Sequence, residues 1–403
     1  MRNGVKMERK TVFLIIPEME MGGAQRSMAK LSLELEKVYK VYLIVFNYTY
    51  EIPYEFGGQV LDLEVTGGNN VLSKGTQFLK RIIKLKALKK KHKPFASISF
   101  LEGADFINSL SSQGEKIVFS IRGSKIHDET INGFIGKLRL KVLLPYFLKR
   151  ADKIVSVNQG IKEEISSISA VKNNNIKVIP NFYDINQIQQ LAAEPLSADF
   201  ASYFRDHQTM VMSGRLAIEK GQRYLILLLK EIKASSKNVK LVLIGNGPEY
   251  PKLTQLCDEN NLSWSKTPTN SVDVLFIPHQ SNIFKFISRA TLYVMCSSSE
   301  GFPNGLCEAM ICGTPVISSD CPYGPSEILS PKGKEEAGIL LPVLQGKVGH
   351  NFEKCMQVWK DNVLKLLSQQ SLLESLKLNA TKRVNEFTTE SALKAWVETI
   401  EEQ

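Results

Sequence analysis

The sequence predicts an α/β protein made of two successive domains, each with a parallel sheet covered by helices. Its 403 residues suffice for two or three domains. Continuous apolar, β-branched runs alternate with helical patterns, as in strands that are covered on both faces. The stretch 183–207 lacks a clear strand, and we interpret it as a linker. A cleft at the carboxyl ends of both sets of strands is expected to bind ligands.

The apolar runs and helical patterns predict the following strands and helices, in chain order. Strands of the first domain are expected at Val12–Ile16, Val41–Phe46, Ala96–Phe100, Ile117–Ser120, Ile154–Val157 and Ile176–Ile179. Strands of the second are expected at Met210–Ser213, Val239–Ile244, Val274–Ile277, Leu292–Cys296, Val316–Ser318 and Gly338–Leu341. Helices are expected at Gly221–Lys233, Tyr250–Asn260 and Asn304–Cys312, and from Phe352 onward. The boundaries are therefore 1–182 for the first domain, 183–207 for the linker, 208–385 for the second domain and 386–403 for a final helix.

The composition excludes several classes of protein. A chain that is 43% hydrophobic and 23% charged is neither disordered nor collagen-like. The six cysteines are scattered without a C-x-x-C pair, so we expect neither a zinc site nor a disulfide framework, and a reduced cytosolic location is favoured. No run approaches the roughly 20 apolar residues of a membrane-spanning helix. The run Val12–Ile16 is too short for a signal peptide, so we expect a soluble protein.

The basic excess lies in the first half of the chain. Residues 1–180 carry 29 Lys and Arg against 17 Asp and Glu, whereas the remainder carries 22 against 24. The stretch 77–93 holds eight basic residues and no acid, with apolar residues at helical spacing. A basic amphipathic helix of this kind suits an anionic membrane surface. The basic residues expected to contact the membrane or an acceptor there are Lys80, Arg81, Lys84, Lys89, Lys90 and Lys91.

One other interpretation of this helix stays open, and a third is disfavoured. Its apolar side chains are Phe78, Ile82, Leu85 and Leu88, with Leu79 and Ile83 widening the stripe. Such a stripe also fits an ordinary surface helix packed on a sheet. Nucleic-acid binding is not expected, because no recognition module or stacking motif accompanies the charge. A second segment of mixed basic and apolar residues supports the membrane interpretation; its basic residues are Lys137, Arg139, Lys141, Lys149 and Arg150.

Glycine-containing turns follow three of the predicted strands. Gly22–Arg26 opens a helix after the first strand, where backbone N–H groups favour anions. Ser213–Gly221 carries two cations, Arg215 and Lys220, that fit a diphosphate. Gly245–Glu249 would let a base or a ribose approach the backbone. A tight turn or a solvated loop explains each in isolation, since neither the G-x-G-x-x-G fingerprint nor a P-loop occurs.

The most specific signal follows the strand that ends at Cys296. Glu300 lies in a loop, Pro303 and Asn304 fit a helix start, and Glu308 falls in the first turns of that helix. One loop thus offers two carboxylates for sugar hydroxyls and backbone amides for phosphate oxygens. The alternative is a capped surface helix with acids near its N-terminus.

The segment Glu300–Met310, E-G-F-P-N-G-L-C-E-A-M, resembles the E-x7-E motif of retaining glycosyltransferases of family GT4, which have the GT-B fold. Other stretches similar to that family occur in family order: G-G-A-Q-R, V-I-P-N at Val178–Asn181, G-R-L-x-x-x-K-G, G-N-G-P-E, H-Q-S-N at His279–Asn282 and S-S-D-C-P-Y-G-P-S-E-I-L ending at Leu329. The last is most similar to members that add hexoses or N-acetylhexosamines to bacterial surface glycans. The resemblance implies two Rossmann-like domains facing each other across a cleft.

The resemblance also implies roles for individual residues. Arg215 and Lys220 would hold the donor diphosphate. Glu308 would bind the ribose hydroxyls and Glu300 the donor sugar, so the catalytic set is Arg215, Lys220 and Glu300. Other positions expected in the nucleotide-sugar site are Gly23, Gly245, Asn246, Gly247, His279, Gly301, Phe302, Asn304, Gly305 and Leu306. The last helix, Ser391–Glu401, with Trp396, would return to the first domain.

One position departs from the family pattern. Many members carry a histidine near the reacting sugar, after the fourth or fifth strand; this sequence has Arg122 there, with His127 close by. We therefore assign no catalytic base and place Arg122 in the acceptor site. In the front-face mechanism proposed for the family, the leaving phosphate helps to deprotonate the acceptor hydroxyl. No D-x-D sequence occurs, so we expect neither a metal nor a cofactor.

The expected function is retaining transfer of a hexose or N-acetylhexosamine from a UDP-sugar to a polyprenyl-diphosphate-linked saccharide. The base is taken as uracil by family tendency. The enzyme would act in surface polysaccharide, lipopolysaccharide O-antigen or glycoprotein glycan assembly, on the cytoplasmic face of the cell membrane. Three alternatives stay open: a soluble enzyme of the same fold with a non-lipid acceptor, a UDP-sugar epimerase, and a non-catalytic nucleotide-sugar-binding subunit.

Overall fold

The computed structural model describes residues 9–20, 22–48, 52–126, 133–169, 175–346 and 349–402. The chain divides into two units: unit 1 comprises Met1–Asn181 with Thr389–Gln403, and unit 2 comprises Phe182–Thr388. Each unit contains a seven-stranded sheet whose paired strands all run parallel. The predicted α/β class with two parallel sheets is therefore confirmed.

The sheet of unit 1 has the strand order β3-β2-β1-β4-β5-β6-β7. Its strands are β1 (Thr11–Ile16), β2 (Lys40–Val45), β3 (Gln59–Asp62), β4 (Ala96–Phe100), β5 (Lys116–Ile121), β6 (Lys153–Ser156) and β7 (Ile176–Val178). Its helices are α1 (Gly23–Glu36), α2 (Val71–His92), α3 (Glu102–Leu110), α4 (Gly133–Leu138), a π-helical turn (Arg139–Leu143), α5 (Leu144–Leu148), α6 (Gln159–Ser169) and α16 (Thr389–Glu401). Strand β3 lies at the sheet edge and is only partly buried, so the search for apolar runs misses it.

The sheet of unit 2 has the strand order β10-β11-β9-β8-β12-β13-β14. Its strands are β8 (Gln208–Ser213), β9 (Val239–Ile244), β10 (Trp264–Ser265), β11 (Val274–Ile277), β12 (Leu292–Met295), β13 (Val316–Ser319) and β14 (Ile339–Leu341). Its helices are α7 (Ile185–Ala193), α8 (Ala198–Asp206), a 3₁₀ turn (Ile218–Lys220), α9 (Gln222–Lys233), α10 (Tyr250–Glu259), α11 (Phe284–Ile287), α12 (Asn304–Ile311), α13 (Gly324–Leu329), α14 (His350–Ser368) and α15 (Gln370–Val384).

The stretch 183–207 is not a linker but an integral part of unit 2. It contains helices α7 and α8, and the Asp184 side chain caps α7 by accepting a hydrogen bond from Gln187 N. Helix α7 buries Ile188 and Ala192, which are four residues apart on one face. Asn282 Nδ2 donates to Leu191 O at 2.8 Å and so joins α7 to the loop before α11. A search for strands alone overlooks this short amphipathic pattern.

Helix α16 belongs to unit 1, where its end is held by charged groups. It contacts α1 and buries Trp396. Lys10 forms an ion pair with Glu401, and Tyr39 donates to the same carboxylate at 2.9 Å. Lys153 and Lys177 contact Glu402 at 3.1 and 2.5 Å. Hydrogen bonds from Lys177 and Lys153 lower the pKa of Glu402 to about 2, so the carboxylate stays charged at neutral pH.

A buried carboxyl lies beneath the start of helix α3. Asp105 is 3% exposed, and its Oδ1 accepts a hydrogen bond from Ser99 Oγ at 2.7 Å. Burial raises the pKa of Asp105 to about 7, although the charge of Lys125 and the Ser99 hydroxyl act in the opposite direction. Asp105 therefore keeps its proton in the folded state over a pH range in which the unfolded chain releases it.

This carboxyl makes stability depend on pH. Between about pH 4 and pH 7 the folded state binds one proton more than the unfolded state, so the free energy of unfolding falls as pH rises. Replacing Asp105 with Asn should reduce that fall by about 1–3 kcal/mol between pH 5 and pH 8. Urea unfolding at pH 5 and at pH 8 measures this change in the free energy of unfolding. The exposed Asp199→Asn is the control, and a D105N profile parallel to the wild-type profile would contradict the assignment.

Candidate active site

Two glycine loops of unit 2 lie at the carboxyl ends of the neighbouring strands β8 and β9. Leu216 N donates to Asn246 O at 2.9 Å, and Glu249 N donates to Leu216 O at 3.1 Å. Gly245 has a positive φ, and a Cβ there would lie 2.1 Å from Gly214 O. A Cβ on Gly247 would lie 2.2 Å from Leu216 O. Both glycines are thus required because the two loops pack backbone to backbone.

Lys220 and Glu300 join the loop after β8 to the loop after β12. Lys220 Nζ donates to Glu300 Oε1 at 2.7 Å, and both side chains are largely buried. Ser298 N donates to Glu219 O at 2.9 Å, which adds a backbone link between the same loops. Burial acts to lower the pKa of Lys220, but the charge and hydrogen bond of Glu300 outweigh it and raise that pKa above its ordinary value. Lys220 is therefore a fixed cation.

Arg215, the other predicted cation, pairs with Glu219 in its own loop, the loop after β8. Arg215 Nη2 donates to Glu219 Oε1 at 2.5 Å, and both side chains are exposed. Burial acts to raise the pKa of Glu219, but a backbone hydrogen bond and Arg215 together lower it. Glu219 is a site residue that the sequence analysis misses; its spacing of four from Arg215 is the signal that could have found it.

The loop that carries Glu300 is also fixed from its other side, by the loop after β13. Glu300 N donates to Pro322 O at 2.9 Å, and Tyr323 N donates to Glu300 O at 2.9 Å. A Cβ on Gly324 would lie 2.6 Å from Gly301 O, so these backbones also meet closely. The buried Phe302 ring meets the Phe387 ring at 5.2 Å, edge to face. Phe302 therefore acts through packing in this structure, and its neighbour Gly301 through its backbone.

Helix α12 begins beside this loop. Asn304 Oδ1 accepts a hydrogen bond from Tyr183 Oη at 2.8 Å. Gly305 lies against Tyr293, whose Oη would be 2.3 Å from a Cβ at that position. Glu308 and Leu306 are buried. Burial raises the pKa of Tyr293, and its hydrogen bonds with Ser213 act in the opposite direction.

Asn246 and His279 lie at the ends of β9 and β11. His279 N donates to Asn246 Oδ1 at 3.3 Å, and the His279 side chain is exposed. The structure thus brings the predicted donor residues of unit 2 to one edge of one sheet. Lys220 and Glu300, both predicted, form a direct side-chain contact, whereas Arg215 pairs with Glu219, which was not predicted.

In unit 1, a polar cluster lies at the carboxyl edge of the sheet. Gly23 is the first residue of α1. Ser27 Oγ, in the same helix, donates to Asn181 Oδ1 at 3.0 Å, and Arg122 Nη2 donates to the same oxygen. The Arg122 guanidinium also lies over the Phe100 ring at 5.7 Å. His127, which the sequence analysis notes close to Arg122, lies outside the described residues.

Helix α2 contradicts part of the predicted basic surface. Its stripe of Phe78, Ile82, Leu85 and Leu88 packs on the core of unit 1, as the surface-helix interpretation expects. Lys89 follows Leu85 by four residues, so it shares the buried face. It is 0% exposed and lies 2.6 Å from Glu115. The assignment of Lys89 to a membrane contact is wrong.

Lys89 belongs to a buried polar network. Its Nζ also donates to Asn108 O at 2.8 Å and to Asn108 Oδ1 at 2.6 Å. Burial lowers the pKa of Lys89 to about 8, and Glu115 partly offsets the effect. Arg81 is also engaged internally: it donates to Val65 O at 3.1 Å and lies over the Phe46 ring.

Other basic residues of α2 are exposed, and so are two apolar neighbours. Lys80, Lys84, Lys90 and Lys91 are exposed. Leu79 and Ile83 are 60% and 67% exposed, so they do not widen the buried stripe but lie among the lysines. In the part of the chain that the structure describes, no helix has the length and apolarity needed to cross a membrane.

A second exposed apolar row lies on α4, the π-helical turn and α5. Its members are Leu138, Val142, Leu143 and Tyr146, with the exposed basic residues Lys137, Lys141, Lys149 and Arg150 around them. Arg139 does not belong to this row, because it is buried and forms two 2.6 Å hydrogen bonds with Glu102.

The pair of Lys220 and Glu300 should contribute to the stability of unit 2. Lys220→Ala leaves a largely buried carboxylate without its cation and should lower the free energy of unfolding by about 1–2 kcal/mol. In the double variant with Glu300→Gln, the loss should be smaller than the sum of the two single losses. Denaturant unfolding measures this. The exposed Arg215→Ala is the control, expected to change the value by under about 0.5 kcal/mol; additive losses would contradict the pairing.

Comparison with known proteins locates two family models on the chain. Residues 21–187 match the model described as Glycosyltransferase Family 4, and residues 199–383 match the model described as Glycosyl transferases group 1. An uncharacterized glycosyltransferase of Methanocaldococcus jannaschii is 30% identical over 345 residues, which cover 79% of this chain and 82% of that protein.

Two further similar proteins bear on the fold and on acceptors. The N-acetylgalactosamine-N,N′-diacetylbacillosaminyl-diphospho-undecaprenol 4-alpha-N-acetylgalactosaminyltransferase of Campylobacter jejuni is 25% identical, over 80% of this chain and 83% of that enzyme. The HepE protein of Anabaena, solved in complex with UDP and glucose, is 15% identical and has a TM-score of 0.75, over 98% of this chain and 100% of HepE. The latter likeness concerns the fold and agrees with the expected GT-B class.

Proposed function

We propose that this chain, which belongs to the family 4 glycosyltransferases, transfers a hexose or N-acetylhexosamine from a UDP-sugar, with retention, to a saccharide on polyprenyl diphosphate. The observation that carries the proposal is the Lys220–Glu300 pair, which fixes a protonated amine beside the start of α12. A fixed cation there meets the need of a diphosphate leaving group, which gains negative charge as the glycosidic bond breaks.

The chemistry divides among the residues of unit 2. Lys220 takes up charge on the departing diphosphate, and Arg215 adds a second cation at the exposed side of the loop. Glu300 meets the donor sugar, and Glu308 meets the ribose hydroxyls. The bond from the anomeric carbon to the diphosphate oxygen breaks, the bond to the acceptor oxygen forms on the same face, and the acceptor proton passes to the leaving phosphate. In this scheme no metal is required, in keeping with the lack of a D-x-D sequence.

The choice of donor and acceptor rests on similar proteins. HepE of Anabaena was solved with UDP and glucose. The similar Campylobacter enzyme is named for an acceptor on diphospho-undecaprenol. A capsular polysaccharide biosynthesis glycosyltransferase of Staphylococcus aureus is 26% identical over 77% of this chain. Together they favour a UDP-sugar donor and a lipid-linked saccharide acceptor in surface-glycan assembly.

The surface of unit 1 supports an acceptor held at a membrane. Helices α2, α3, α5 and α6 contact one another in sequence, so the row on α2 and the row on α4–α5 belong to one helical layer. Both combine exposed apolar side chains with lysines. An anionic lipid surface can bind both kinds of side chain. The apolar side chains enter the headgroup region, and each Lys or Arg near the surface contributes about 1 kcal/mol of binding free energy. We therefore place the enzyme peripherally on the inner face of the cell membrane.

Transfer itself is tested with UDP-hexoses and UDP-N-acetylhexosamines and a polyprenyl-diphosphate saccharide in detergent. We expect product with the donor's anomeric configuration, by NMR, in the presence of EDTA. Lys220→Ala should lower kcat/KM by about 100-fold or more, because it removes a cation that stabilises the leaving group. Lys230→Ala, an exposed lysine of α9, is the control.

Other results of this assay identify the alternatives. Interconversion of UDP-sugars without an acceptor would make the protein an epimerase. Transfer to water-soluble acceptors alone would make it a soluble transferase, and binding without turnover would make it a non-catalytic subunit. Loss of all product in EDTA would overturn the metal-free scheme.

Membrane contact is tested by sedimentation with vesicles that contain anionic lipid. Replacing Lys80, Lys90 and Lys91 with Glu reverses three exposed charges on α2 and should reduce binding at least tenfold, and salt should weaken wild-type binding. Lys89 stays unchanged because it is buried. The matched control replaces three exposed lysines of unit 2, Lys237, Lys252 and Lys382. Equal binding by both triple variants would contradict a contact through α2.

A further inference from the structure

A three-residue segment, Asn181–Tyr183, connects the two units in sequence and takes part in the polar clusters of both. Asn181 is the last residue of the first part of unit 1, and Phe182 is the first residue of unit 2. Side chains on the two sides of this boundary contact residues that the sequence analysis assigns to different substrates, acceptor and donor. Asn181 contacts Arg122, and Tyr183 contacts Asn304.

The contact in unit 1 orients a cation. Asn181 is 8% exposed, and its Oδ1 accepts hydrogen bonds from both Ser27 Oγ and Arg122 Nη2. An amide oxygen is a neutral acceptor, so this hydrogen bond fixes the direction of the guanidinium without cancelling its charge. A guanidinium carries its five N–H donors in one rigid plane, so a hydrogen bond to one of them sets the orientation of all five.

The contact in unit 2 orients the start of α12. Tyr183 is 1% exposed, and its hydroxyl donates to Asn304 Oδ1 at 2.8 Å. The backbone of Tyr183 is itself fixed, because its N donates to Phe387 O at 2.9 Å. The Phe387 ring packs on Phe302, in the same loop as Glu300. The segment thus holds the first residue of α12, next to the proposed diphosphate site.

We infer that Asn181 and Tyr183 are positioning residues, Asn181 for Arg122 in the acceptor site and Tyr183 for Asn304 in the donor site. The inference rests on the proposed function and deepens it. It assigns the short connecting segment a separate effect on each substrate: Tyr183 acts on donor affinity, and Asn181 acts on turnover.

The donor arm is tested with UDP in isothermal titration calorimetry. Tyr183→Phe removes one hydroxyl from a buried ring and should raise the Kd for UDP about threefold to tenfold, the effect of one lost hydrogen bond. Tyr203→Phe is the matched control, since Tyr203 is equally buried in unit 2 and donates to Val272 O at 3.2 Å, away from the predicted donor residues. Tyr183→Phe should not weaken UDP binding further when Asn304 is already Ala.

The acceptor arm is tested by turnover at saturating donor. Asn181→Ala should lower kcat about threefold to tenfold, with the Kd for UDP unchanged. The double variant with Arg122→Ala should be no slower than Arg122→Ala alone, because Asn181 acts through Arg122. Asn181→Asp, which keeps an oxygen acceptor, should recover part of the lost turnover. Asn158→Ala is the control: Asn158 is a buried asparagine at the end of β6 whose Oδ1 accepts from Ile161 N at 2.7 Å.

Some outcomes of these experiments would overturn the inference alone, and one would overturn the proposed function as well. An unchanged Kd for UDP in Tyr183→Phe, or an equal rise in Tyr203→Phe, overturns the inference while the proposed function stands. So do additive losses for Asn181 and Arg122, or an Asn158→Ala variant as slow as Asn181→Ala. Wild-type protein that binds no UDP and transfers no sugar overturns the proposed function and the inference together.

Discussion

The proposed donor site depends on one ion pair, between Lys220 Nζ and Glu300 Oε1. Parallel strands bring the loops after β8 and β12 to the same sheet edge, and this pair ties them together there. A largely buried ammonium needs an anion beside it, and Glu300 raises the pKa of Lys220, so the amine keeps its proton. In the proposed function, the diphosphate of the donor would meet an ammonium that is already oriented and protonated. The geometry of the remaining donor residues follows from that constraint, because Glu300 also anchors the loop after β13.

The sequence predicts this part of the molecule well because the signals are local. Long apolar runs give the buried strands, and Gly, Pro and charged residues directly after them mark the carboxyl edge of the sheet. The sequence alone does not explain why these positions must be glycine. Gly245 is required because Gly214 O lies too close for a side chain. The pairing of Arg215 with Glu219 and that of Asn304 with Tyr183 also escape prediction. The first depends on a loop conformation, and the second joins residues that are far apart in sequence.

Helix α2 shows where a prediction from the number of basic residues fails. A count of charges treats Lys89 and Lys90 alike, yet one is buried against Glu115 and the other is exposed. Helical geometry distinguishes them, since Lys89 lies one turn after Leu85 on the core face. Two residues stabilise the buried Lys89: Asn108 near the end of α3, and Glu115 directly before β5. No local sequence pattern points to either of them. The same geometry turns Leu79 and Ile83 outward, where they give the basic surface its apolar component.

The two units use different chemistry to orient their cations, and the difference fits their proposed substrates. Lys220 has a carboxylate partner, so its charge is balanced until a diphosphate with greater negative charge competes for it. Arg122 is held by the amide oxygen of Asn181, and that hydrogen bond leaves the guanidinium's charge intact. A balanced cation suits a site that must bind and then release a charged leaving group. An oriented guanidinium suits a neutral acceptor hydroxyl, whose oxygen attracts a guanidinium only weakly unless the geometry is fixed beforehand. Asn181 supplies that fixed geometry. Because it lies directly before the boundary between the units, the last residue of this part of unit 1 also contributes to the proposed acceptor site.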